Sequence, residues 1–284
     1  FVAATAIVIL ALLAGIYSLR LFFDFIRVDR TAFYKSFVSL LRSIRCVGLE
    51  NRNLKGKKSW LSLSFRVGKV RFHWTFVLVY TLLAFTWLKF FIAYSALIAI
   101  VIMHEFSHIA AAHRGGIADN GVNIYPIGGM AILDDLGLTP RRQLEIAWAG
   151  PLLNVALMPV FFALAFLFSP ASIVSFDIST WAGVLGLIFK FNIFILIFNM
   201  MPFFPMDGGR ILRALLIMKA GFARDKAGKI TIKVGKVFFW LFVVVGFLTL
   251  NPVLIVIAFV MDKSSLPQLK ALEEREDRAS RAIL

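Results

Sequence analysis

The sequence predicts a polytopic α-helical membrane protein with about six core transmembrane helices, an extra N-terminal span and a small membrane-associated β-sheet. Three observations carry that prediction. Apolar residues make up 60% of the 284-residue chain, and mean hydropathy is +0.84; a soluble domain is nearer 45–50% apolar. These residues gather into blocks, several of them near the roughly 20 residues that cross a bilayer. The net charge of +15 falls almost entirely between the blocks, as Lys and Arg do in loops left on the cytoplasmic side. No aromatic-basic motif accompanies that charge, so nucleic acid is not expected as a partner and the lipid bilayer is.

The first block, residues 1–23, is too long and too uniformly apolar for a signal-peptide core and reads as a transmembrane helix. Residues 24–62 follow as a basic cytoplasmic or interfacial segment. Across 24–71 there are twelve Lys or Arg against Asp24, Asp29 and Glu50. Phe33, Phe37, Leu40, Leu41 and Ile44 recur at helical spacing while Lys35, Arg42 and Arg45 lie elsewhere on the wheel, which predicts a helix in the membrane surface.

From residue 63 the pattern changes. Leu63, Phe65 and Val67 alternate with polar residues, and Gly68-Lys69 suits a two-residue turn before Val70 and Phe72, so a β-hairpin leads into the membrane domain. Residues 74–88 and 91–113 are two apolar helices, one going out and one returning. The following stretch, "HRGGIADNGVNIYPIGGMAILDDLGLTPRRQ", breaks helical periodicity and favours short strands. Irregular backbone at membrane depth survives only where protein or a cavity satisfies its amides. Two further spans cover about 143–168 and 182–204, joined by a loop that holds Asp177 and no Lys or Arg and so belongs on the far side. Residues 207–236 bring eight Lys or Arg and return the chain to the cytoplasm. The block 237–261 is divided by Asn251-Pro252, which either turns a hairpin or interrupts one helix. A charged tail, 263–284, closes the chain, and its side of the membrane depends on that choice.

"VIMHEFSHIA", residues 101–110, places ionisable groups deep in an apolar helix. Insertion scales charge about 2.5–3.5 kcal/mol for such a residue at mid-membrane, which marks it as functional. His104 and His108 are four apart and share one helix face, with Glu105 beside them. In an HExxH arrangement the imidazoles hold Zn²⁺ and the glutamate is the general base. A metal-free proton relay is the competing use of the same groups. Cys46 is the sole cysteine, so a thiolate zinc site and an internal disulfide are both excluded.

A catalytic zinc usually takes three protein ligands. His113 lies five residues beyond His108 and points away around the helix, and it reads as a polar end to the span. Glu145 has Arg141 and Arg142 for ion-pair partners, and Asp134 and Asp135 sit in a loop. Asp207 follows "NMMPFFPM" and precedes Gly208-Gly209, where the prolines interrupt a span and free a carboxylate to aim inward. With His108 roughly 8 Å from the cytosolic end of its helix and Asp207 at a cytosolic end, one metal held by His104, His108 and Asp207 is geometrically consistent. Glu145 is the alternative third ligand.

"HEFSH", together with "NMMPFFPMDGG" over Asn199–Gly209, resembles the site-2 protease family of intramembrane zinc metalloproteases. "GPLLN" (Gly150–Asn154), "PIGGMA" and "GGRILRALL" strengthen the resemblance, which covers about residues 63–262. It implies zinc on His104, His108 and Asp207, Glu105 as the catalytic base, and Asn199 and Asn154 near the substrate. It also implies that strands such as 63–72 and 122–132 form a sheet receiving an unwound substrate. The chain is more similar to the archaeal and sporulation-protease branch, having no insertion large enough for a PDZ domain. The 77 residues after Asp207 are too few for paired CBS domains.

The expected function is therefore regulated intramembrane proteolysis. A multi-pass zinc protease, with its site reached from the cytoplasmic side, would cut a membrane-protein substrate within or next to its transmembrane segment. The alternative is a zinc-binding membrane transporter without hydrolysis. A regulatory membrane partner is compatible with the additional block before residue 63.

Overall fold

The computed structural model describes residues 47–51, 63–67, 70–86, 88–117, 119–125, 128–133, 139–176 and 179–283. The expected N-terminal span, the surface helix over 33–44, the Gly68-Lys69 turn, Asp134, Asp135 and Asp177 lie outside the described residues. The described chain is mostly helical with a small sheet. Five of its helices are long and apolar enough to cross a membrane.

The chain divides into two units, one of residues 1–134 and 152–196, the other of residues 135–151 and 197–284. The first unit contains a five-stranded sheet in the order β1 (Val47–Asn51), β2 (Leu63–Val67), β3 (Val70–His73), β4 (Asp119–Tyr125), β5 (Gly128–Leu133). β1, β2 and β3 run antiparallel in succession, as do β4 and β5. β3 and β4 are parallel, with Val70 opposite Val122 and Phe72 opposite Ile124. A parallel pair needs a long crossover, supplied here by α1 (Trp74–Thr86) and α2 (Leu88–His113). The hairpin expected over 63–72 is thus the middle of a larger sheet, and β1 is a strand that the basic segment did not announce.

Val70, Val122 and Ile124 are buried. Phe76 of α1 stacks on Tyr80 and on Tyr94 of α2 with ring centroids 5.2 and 6.3 Å apart. Gly116, at φ +72°, closes the end of α2 in the left-handed conformation that glycine adopts without steric cost. α3 (Pro140–Phe168) and α4 (Trp181–Asn199) each cross from one unit to the other. In the first unit their rings meet at Phe162 and Phe189, 5.8 Å apart. α4 also packs on α2 through Ala93, Val184 and Leu187.

The second unit begins with the capped start of α3. Thr139 accepts from the Arg142 amide at 3.3 Å, and Pro140 occupies the first turn, where its missing N–H costs nothing. The unit continues with the turn 200–206, α5 (Asp207–Met218), α6 (Arg224–Leu248) and α7 (Pro252–Ile283). The Asn251-Pro252 division is therefore a hairpin. Lys236 of α6 pairs with Asp262 of α7 at 2.6 Å, and a Cβ on Gly246 would lie 2.7 Å from Ile255 Cγ1. These contacts run in opposite senses along the two helices. α7 continues through Pro267 into the charged tail.

Candidate metal centre

α2 carries His104, Glu105 and His108. The histidines are buried at 2% and 4% exposure, with ring centroids 4.9 Å apart, as the i, i+4 spacing requires. The glutamate between them is half-buried. β5 lies against this face of α2, and a Cβ on Gly129 would be 3.0 Å from Glu105 Cγ and from Val101 Cγ1. A glycine is needed there for the strand to approach so closely.

His104 Nδ1 lies 2.5 Å from Asn154 Oδ1 on α3. Asn154 Nδ2 donates to Asn192 Oδ1 on α4 at 2.8 Å, and Asn192 Nδ2 donates to the Asn154 carbonyl at 2.9 Å. Both asparagines are fully buried. The structure therefore places Asn154 on a histidine of the motif. Asn192 escaped the sequence reading, although a buried amide amid "FKFNIFI" was a signal, because lipid leaves polar groups unsatisfied and spans carry them for a reason.

Asp207 is the first residue of α5 and is 8% exposed. Its carboxylate stands at a helix N-terminus, where the backbone dipole favours negative charge. The preceding turn is tight: Phe203 N donates to Met201 O at 2.8 Å, Met206 N to Phe203 O at 3.1 Å and Gly209 N to Met206 O at 3.1 Å. A Cβ on Gly208 would collide with the Met200 and Met201 carbonyls, and one on Gly209 with the Phe203 and Phe204 backbone. The two glycines are thus what lets the turn fold onto α5. Ser265 of α7 donates to the turn, with its Oγ 2.5 Å from Phe204 O.

Among the described residues, His104, His108 and Asp207 form a group that could hold a metal, one ligand atom from each lying within 4.8 Å of the others. The donor set suits zinc, with two imidazoles and one carboxylate leaving a coordination position for water. Burial also fits, since a carboxylate held away from solvent needs a compensating cation.

The other candidates lie elsewhere. Glu145 takes Arg142 Nη1 at 2.6 Å and Arg141 Nε at 3.4 Å, the ion-pair role expected from its neighbours. His113 is the exposed last residue of α2. Asn199 is half-buried and ends α4. Arg213, counted among the loop charges, is instead 1% exposed and donates to Gln143 Oε1 at 3.2 Å.

Residues 92–180 and 169–242 match Peptidase family M50. The matched region is more than half of the chain, and the chain belongs to that family. It is 32% identical over 159 residues to a zinc metalloprotease of Methanocaldococcus jannaschii, covering 56% of this chain and 43% of the relative. It is 28% identical over 141 residues to stage IV sporulation protein FB of Bacillus subtilis, covering 48% and 44%. The matches thus span less than half the length of these curated relatives. Among solved structures, it is similar to the site-2 protease from Methanocaldococcus jannaschii, with a TM-score of 0.54 and 28% identity, covering 72% of this chain and 92% of that one.

Proposed function

We propose that the chain is an intramembrane zinc metalloprotease that hydrolyses a peptide bond within or next to a transmembrane segment of another membrane protein. The observation that carries this reading is the buried His104, His108 and Asp207 group with Glu105 adjoining it on the same helix. Those three residues hold the zinc, which when bound supplies Lewis acidity that polarises the scissile carbonyl and acidifies water. Glu105 accepts the proton of the attacking water and returns it to the leaving amine. A transporter would have no use for a general base at this position, and membership of a peptidase family favours hydrolysis.

Among the described residues β5 ends the sheet order, and Gly129 brings it against Glu105. A substrate segment unwound from helix to strand would pair along such an edge, because an extended peptide satisfies its amides there and exposes its scissile bond. Asn199, at the end of α4, serves the substrate beside the turn. The short apolar α1 and the five longer helices support a core of about six spans, and the basic 207–236 segment supports water access from the cytoplasmic side.

The test is cleavage of a single-pass membrane substrate by detergent-purified wild type and Glu105→Gln, with zinc determined on the same samples. Both should hold zinc, and the variant should cleave at least about 10²-fold more slowly, as loss of a general base implies. Turnover by Glu105→Gln at the wild-type rate would remove Glu105 as the base; zinc absent from the wild type would remove the reading.

A further inference from the structure

We propose that Asn192 is a positioning residue that sets the tautomer of His104 through Asn154. The inference rests on the reading of His104 as a zinc ligand and adds the device that prepares it.

The argument begins at a backbone carbonyl. Asn192 points one end of its amide at Asn154 O, 2.9 Å away. A carbonyl only accepts, so the end facing it is the NH₂ group. The Asn192 oxygen then faces the Asn154 side chain at 2.8 Å and must receive a hydrogen, which orients the Asn154 amide with its nitrogen toward Asn192. The Asn154 oxygen is left facing His104 Nδ1 at 2.5 Å. An amide oxygen also only accepts, so Nδ1 carries the ring hydrogen. In a neutral imidazole the lone pair then resides on Nε2, the nitrogen that coordinates.

Asn192 is needed because Asn154 is an amide. A carboxylate in its place would present an acceptor whichever way it turned. An asparagine has one accepting and one donating end. If it flipped, its NH₂ would face Nδ1, the hydrogen would sit on Nε2, and His104 would lose its coordinating lone pair there. Asn192 prevents the flip. The amide pair achieves this with no added charge in a span, where a buried carboxylate would cost several kcal/mol. All three side chains are buried at 2% exposure or less, so water does not compete for these bonds.

The experiment is a double-mutant cycle read as zinc affinity, by competition with a chelator, in purified protein. Asn192→Leu conserves approximate volume and suits an apolar span. It should weaken zinc binding about tenfold, within the range found when partners behind a metal-bound histidine are lost. In the Asn154→Asp background, where orientation no longer matters, the same substitution should change affinity less than about twofold if the coupling is as inferred. Equal losses in both backgrounds would mean that Asn192 acts through packing and would overturn the proposal, as would unchanged affinity in the native background. A second measurement needs no variant at position 192: ¹⁵N shifts of the His104 ring in metal-free wild type, assigned by comparison with His104→Gln, should report hydrogen on Nδ1. Hydrogen on Nε2 would overturn the relay. Because this reading is taken without metal, it separates failure of the relay from failure of the zinc-protease assignment, which would appear as wild type that holds no zinc.

Discussion

At the residue scale, Gly129 connects the sheet to the proposed base. A Cβ there would lie 3.0 Å from Glu105 Cγ and Val101 Cγ1 and 3.1 Å from Ile124 Cδ1, closer than apolar atoms normally pack. The two branched methyls of valine make that crowding worse, and Glu105 must shift. Misplacing a catalytic group by about 1 Å costs on the order of 10²-fold. Gly129→Val should therefore reduce cleavage by roughly tenfold to 10²-fold with zinc content unchanged, since the substitution faces Glu105 and not the ligands. Paired zinc and turnover assays check this; loss of zinc in parallel with activity would place the damage in α2 as a whole. The four chemical residues of the proposed site were legible because their signals are local. His104, Glu105 and His108 share a turn, and Asp207 stands beside prolines and glycines that break a span. Asn192 had no comparable spacing to announce it. Its meaning comes from Asn154, 38 positions away in sequence, a relation that only packing creates.

At the element scale, the long apolar blocks were the most legible feature, since length and hydropathy suffice to set them apart. The expected 74–88 and 91–113 appear as α1 and α2, and 143–168 and 182–204 as α3 and α4. β1 was hidden because its five residues, "VGLEN", hold only two apolar side chains, too few to mark a strand by pattern; its pairing with β2 makes it a strand. The 237–261 block was ambiguous for a related reason, as Asn251-Pro252 can stop a helix or turn a hairpin. The Asn251 side chain accepts from the Val253 amide at 3.1 Å and starts α7, which settles the element as a hairpin. Its closed end depends on Gly246, whose missing side chain leaves room for Ile255, the Asn251 carbonyl and Leu254. Small residues let membrane helices approach in this way. Gly246→Leu should overpack that junction and destabilise the protein by about 1–3 kcal/mol, seen as a lower unfolding temperature in detergent. An unchanged transition would show that the hairpin opens at no cost.

At the scale of the whole molecule, large apolar side chains remain on the surface of the long helices. Phe194 and Ile197 on α4, Val237, Trp240 and Val244 on α6, and Val256 and Val260 on α7 are all at least half exposed. Soluble proteins do not sustain apolar surface of this extent, so lipid is its solvent. The expected orientation of these helices rests on charge placed at opposite ends. The α3–α4 connection exposes Val174 at 77% and carries no Lys or Arg, while the start of α6 exposes Lys226, Lys229 and Lys233. By the positive-inside tendency the α6 start is expected in the cytoplasm and Val174 on the opposite face. Cys46 is the native cysteine, so a Cys46→Ala background permits placement of single thiols. In sealed right-side-out membranes, an impermeant maleimide should label Val174→Cys, and should label Lys226→Cys only after the membrane is opened. The reverse pattern would invert the protein and move the proposed zinc site's water access to the other compartment. Labelling of both thiols in sealed membranes would place the two segments on one side and remove an odd number of crossings between them, which would require re-entrant rather than spanning helices.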